Sequence, residues 1–76
     1  MVCQMLNSVA RAFGENLADE RQIQGLTMRK LAERAGMSSS EISRLESGRR
    51  DPRLSTVIRV AQALEVSVAD LLRGVG

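Results

Sequence analysis

A chain of 76 residues with a formal net charge of +2 forms one domain with a small core, a size at which association with a second copy adds stability. A single cysteine, Cys3, and no histidine exclude an internal disulfide and leave no ligand set for structural zinc. No basic leader with a long apolar core opens the sequence, and no apolar run approaches the ~18 residues of a membrane span, so a soluble, cytoplasmic protein without a membrane partner is expected.

In chain order, the first helix is predicted over residues 8–24, with Leu6, Val9, Phe13 and Leu17 on one stripe at helical spacing. That stripe begins early, so residues 1–7 are expected to form an N-terminal extension running into the helix, and residues 8–76 the domain proper. Gly25 ends the first helix. Thr27 caps a second over 28–35, which Gly36 closes. Ser38 and Glu41 make an S-x-x-E capping box at the start of a third, over 39–47, with Gly48 after it. Pro52 marks a loop, a fourth helix spans 54–64, and Ser67 caps a fifth over 68–73 ahead of Gly74. No segment alternates as a strand does, so the fold class is all-α. The expected core collects Phe13, Leu17, Leu26, Leu31, Ala32, Ala35, Met37, Ile42, Leu45, Val57, Ala61, Leu64, Val66 and Leu71.

Charge is unevenly spread. Residues 28–59 carry Arg29, Lys30, Arg34, Arg44, Arg49, Arg50, Arg53 and Arg59 against four acids, a net +4, while the remainder is net −2. A basic centre with acidic flanks suits a polyanion, although an ordinary solvated helical surface would look similar. The second and third helices carry the sharper signal. Ala32 is small enough for two short helices to cross closely, Gly36 supplies a positive φ at the turn, and Met37 can tuck beneath it. Leu31, Ala35, Ile42 and Leu45 anchor both helices, which leaves Ser39, Ser40, Ser43 and Arg44 on the outer face.

Leu26 through Gly36 and Glu46 to the Gly48-Arg-Arg-Asp-Pro52 loop, followed by Leu54–Leu64 and Val66–Leu72, resembles the Cro/C1-type (XRE-like) helix-turn-helix family. That family includes phage repressors, Cro proteins, restriction–modification controller proteins and some antitoxins. The resemblance covers roughly residues 13 to 72 and implies a compact five-helix, lambda-repressor-like DNA-binding domain. It implies base reading by Ser39, Ser40 and Arg44, with Arg44 the strongest candidate because a guanidinium pairs with guanine O6 and N7 together. It places a phosphate contact at the backbone of Met28; Ser43, Arg49 and Arg50 are candidate phosphate partners, and Arg53 a candidate for phosphate or an adjacent minor groove. Arg21 and Glu46 match a family ion pair between the first and third helices, a structural role. Ser38 and Glu41 are read as caps and not as base contacts. Four positions depart from the family pattern: Met28 stands where glutamine is common, Arg53 where Ser or Thr often starts the fourth helix, Glu65 where glycine is usual, and Glu20 where many relatives are apolar.

Enzymatic activity is not expected: there is no histidine base, no P-loop glycine pattern, no metal-ligand cluster and no partner to activate the serine run. Single-stranded nucleic acid is disfavoured, because Phe13 is the only aromatic residue and belongs in the core. The expected function is a sequence-specific regulator of transcription that binds double-stranded DNA as a homodimer on a pseudo-palindromic operator, with contact to RNA polymerase a further option. No cofactor, metal or small-molecule ligand is expected. Val68, Leu72 and Val75 are the candidate dimer interface, with Met5 and Leu6 second. The alternative is a protein-interaction module of the same fold, an antitoxin or a bridging factor.

Overall fold

The computed structural model describes the backbone of residues 2–75 and the side chains of residues 9–75. Five helices and no strand occur among the described residues: α1 (Val2–Ile23), α2 (Met28–Ala35), α3 (Ser39–Glu46), α4 (Leu54–Leu64) and α5 (Val68–Leu71). The all-α, five-helix expectation therefore holds, and α2 and α4 have their predicted bounds. Helix α1 starts six residues earlier than residue 8. Residues 2–7 are thus helical backbone continuous with α1, and the second interface candidate, Met5 and Leu6, lies outside the described side chains. At about 1.5 Å per residue, the 22 residues of α1 run roughly 33 Å, comparable to the longest molecular extent of 36 Å. Helix α3 stops one residue short of prediction, with Ser47 as its C-cap, and α5 two residues short, because Leu72 leaves helical geometry at φ −105° and ψ 11°.

Apolar spacing explains why these helices assemble. Phe13 and Leu17 from α1, Leu31, Ala32 and Ala35 from α2, Ile42 and Leu45 from α3, Val57, Val60, Ala61 and Leu64 from α4, and Leu71 from α5 form one buried cluster. Leu26, Met37 and Val66, expected inside, are only partly buried and pack on its rim. Ala10 and Val60 are buried without having been expected there. Val60 completes an i, i+3, i+4, i+7 stripe with Val57, Ala61 and Leu64, so helical periodicity accounts for it.

The caps are local chemistry. Thr27, Ser38 and Ser67 each accept the N–H three residues on, and Ser38 with Glu41, like Ser67 with Asp70, closes a reciprocal capping box. Arg53 precedes α4 without a side-chain cap bond. Glu65 takes the left-handed conformation at φ 57°, the one non-glycine residue with positive φ among the described residues.

Polar side chains of α1 and of the turn just after it tie the later helices to this segment. Asn16 Nδ2 donates to the carbonyls of Leu71 (2.9 Å) and Arg73 (2.8 Å), and Gln24 Nε2 donates to that of Leu64 (2.6 Å). These bonds serve carbonyls near the ends of α5 and α4, where backbone acceptors lack helical partners. Helix α1 also touches α3 backbone to backbone. A methyl group at Gly14 would lie 2.4 Å from the Leu45 carbonyl oxygen and 2.6 Å from that of Glu46. One at Gly48 would lie 2.9 Å from Arg11 Cα.

Candidate nucleic-acid interface

Helices α2 and α3 meet across a three-residue corner, Gly36 to Ser38, and the φ of 69° at Gly36 needs no side-chain clearance. The Gly36 N–H bonds to Ala32 and Glu33 carbonyls and the Met37 N–H bonds to Ala32 O at 2.9 Å, so α2 ends on satisfied acceptors. Ser38 then restarts the helix through its box with Glu41. The Ser38 N–H and hydroxyl both bond Glu41 Oε1 at 3.2 Å. Those two bonds, backbone first, hold the Glu41 carboxyl below its ordinary range, and the positive charges of Arg50 and Arg59 act in the same direction. Glu41 is therefore a committed capping group.

The buried side of α3 is Ile42 and Leu45, and the opposite side carries Ser39, Ser40, Ser43 and Arg44, all exposed. An open concavity joins this face to the start of α2, lined by Thr27, Met28, Arg29, Ser39, Ser40, Ser43, Arg44 and Arg49. Six predicted site residues are thus brought together: Met28, Ser39, Ser40, Ser43, Arg44 and Arg49. Arg50 and Arg53 are not among them. They line a separate, smaller recess of about 140 Å³ with Met37, Glu41 and Pro52. Met28 also packs on the core, which leaves its backbone as its polar contribution. In the first turn of α2 the Lys30 N–H is taken by Thr27 Oγ1 at 3.0 Å, and the donors ahead of it are the orphan N–H groups of a helix start. Arg29 was read as part of the basic centre without an assigned role, yet it lines the same concavity. Sequence spacing gave no hint of this, because it depends on how the start of α2 is set beside α3 in the fold.

Arg21 and Glu46 hold the recognition unit to α1. Arg21 Nε donates to Glu46 Oε2 at 2.6 Å and Nη2 to Oε1 at 3.1 Å, while Nη1 donates to the Leu26 carbonyl at 2.8 Å. The two side chains are only 12% and 7% exposed. One guanidinium therefore fixes both the end of α3 and the loop before α2, the paired role read from the sequence. At the other end of the molecule, Leu72 is exposed and Val75 half-buried, whereas Val68 spends part of its surface on the core. Val68, like Val75, is half-buried and keeps part of its surface free. Leu54 and Ile58, one turn apart on α4, are also exposed and were not foreseen.

The helix-turn-helix family profile matches residues 17–71, most of the chain. The HTH-type transcriptional regulator y4dJ of Sinorhizobium fredii is 42% identical over 62 residues, which span 82% of this chain and 80% of y4dJ. The transcriptional repressor RghR of Bacillus subtilis is 36% identical over 66 residues, 86% of this chain but 49% of RghR, so the chain spans about half of that longer relative. Among solved structures, the clp gene regulator ClgR of Corynebacterium glutamicum superposes with a TM-score of 0.82 at 38% identity, covering 84% of this chain and 83% of that one. The restriction–modification controller protein C.AhdI of Aeromonas hydrophila gives 0.79 at 29% identity, covering 82% and 94%. No helix among the described residues is long and apolar enough to cross a membrane. The chain belongs to the Cro/C1-type helix-turn-helix family of DNA-binding transcriptional regulators.

Proposed function

We propose that the chain reads double-stranded DNA sequence-specifically, with α3 in the major groove and Arg44 as its principal base reader. The observation that carries this reading is the position of Arg44: exposed on α3, beside three short serines, in the concavity that also holds the α2 start and Arg49. A bidentate Arg–guanine pair is worth about 1–3 kcal/mol of discrimination, and serine hydroxyls, which donate or accept, discriminate less. Phosphate contacts fall to the first-turn backbone of α2 at Met28, to Ser43 and to Arg49, with Arg50 and Arg53 extending the basic track beyond the concavity.

One recognition helix covers only a few base pairs, so the reading includes a homodimer on a pseudo-palindrome whose half-sites lie roughly 34–36 Å apart. Val68, Leu72 and Val75 supply its apolar contact. Control is by occupancy in the cytoplasm, either blocking RNA polymerase or touching it according to operator position.

Selection of sites from random duplex DNA at fixed, near-physiological salt, with wild type and Arg44→Ala in parallel, tests this. An inverted repeat that loses preference at one position per half-site in the variant supports it. Binding that is unselective and equal in both proteins overturns it, and would leave a protein-interaction module as the reading to pursue.

A further inference from the structure

Three arginines border the concavity, and they are not in equivalent states. Arg29 Nε stands 4.0 Å from Glu33 Oε2, and Lys30 Nζ stands 3.9 Å from Oε1 of the same carboxylate. One glutamate thus faces two cations on the exposed side of α2, and Arg29 is itself 87% exposed. At these distances and this exposure the pairs are loose electrostatic neighbours and not hydrogen-bonded forks. Met28, between Thr27 and Arg29 in the same concavity, has a thioether and no side-chain N–H or O–H to donate. Of the two α2 side chains that line the concavity, only Arg29 can donate to an anion.

We propose that Arg29 is a DNA phosphate contact, and that Glu33 is its resident counter-charge, displaced when the duplex arrives. This deepens the duplex-reading role proposed above and rests on it. The exchange is one carboxylate for one phosphate at the same guanidinium, while Lys30 keeps Glu33 occupied afterwards. Arg29 then contributes to affinity at every sequence and to preference at none, in contrast to Arg44.

The test is salt-dependent binding to the selected operator by wild type, Arg29→Ala, Arg29→Lys, Glu33→Gln and the Arg29→Ala/Glu33→Gln double variant. A single lost phosphate contact lowers the slope of log K against log salt by about 0.9, so raising salt fourfold weakens Arg29→Ala about 3.5-fold less than wild type. Arg29→Lys keeps the wild-type slope, because phosphate accepts a point charge. Glu33→Gln binds more tightly than wild type, and that gain shrinks when Arg29 is already alanine. The selected motif is unchanged throughout. An unaltered slope in Arg29→Ala overturns the proposal while leaving the duplex-reading role intact. So does a motif relaxed at one base, which would make Arg29 a base reader, or a Glu33→Gln gain of equal size in both backgrounds, which would be a long-range charge effect. Failure of wild type to select any operator removes both readings together.

Discussion

Gly14→Ala sets two well-calibrated effects against each other. In an isolated helix the change is favourable, because glycine in a helix interior costs about 0.8–1.0 kcal/mol relative to alanine. Here the new methyl would sit 2.4 Å from the Leu45 carbonyl oxygen, 2.6 Å from the Glu46 carbonyl oxygen and 2.9 Å from the Glu46 carbonyl carbon. All three are backbone atoms, so no side chain can rotate away, and reaching ordinary contact at 3.4 Å requires α1 and α3 to part by about an ångström. Overpacking of a tight core costs about 1–3 kcal/mol even where side chains can adjust. The separation also pulls on the Arg21–Glu46 fork, whose short arm is 2.6 Å. The clash should outweigh the propensity gain and leave a net loss of about 1–2 kcal/mol. For a domain of this size about 1 kcal/mol moves the midpoint by about 4–8 °C, so a thermal melt followed by circular dichroism should shift down by about 5–15 °C. A melting temperature equal to or above that of wild type would refute the backbone-to-backbone contact of these two helices.

Arg21→Ala should cost about 3 kcal/mol, since it strands a largely buried carboxylate and also frees the Leu26 carbonyl. Denaturant titration should place it below Glu46→Gln, which keeps a neutral acceptor for the guanidinium. Glu65→Gly should stabilise by about 0.5–1 kcal/mol, because φ 57° is strained for a side chain and free for glycine, and a higher denaturation midpoint at unchanged slope checks it. The Glu41 carboxyl is held lower in the folded state than in the unfolded chain. Its contribution is therefore present above the unfolded value and lost as pH falls through the folded one. The stability difference between wild type and Glu41→Gln, measured by denaturant titration from pH 7 down to pH 2, should be constant near neutrality and change only in that acidic window.

Much of the fold was legible because its determinants are local. Thr27, Ser38 and Ser67 announce helix starts through hydroxyls that reach only three residues, and Gly36 announces the corner through its own backbone. The outer face of α3 followed from subtraction, once Ile42 and Leu45 were assigned inward. What escaped depends on residues distant in sequence. Gly14 reads as a weak helix former until α3 is laid against it. Asn16 and Gln24 read as solvated until the carbonyls of α5 and α4 arrive. The division of the basic residues between two recesses depends on how the loop after α3 returns, which spacing does not encode. Leu72 stays outside because α5 ends after a single turn, where periodicity had carried the helix two residues further.

The bonds from Asn16 and Gln24 have a kinetic meaning. They close loops of 55, 57 and 40 residues, and the Arg21–Glu46 fork closes one of 25. Closing long loops is entropically costly before any contact rewards it. A nascent chain emerging from the ribosome therefore holds α1, α2 and α3 complete in sequence before Leu71 is available to finish the core. Until α5 emerges, the recognition helix has its caps but lacks part of its supporting core, and competence to engage DNA should switch on only once Leu71 has docked.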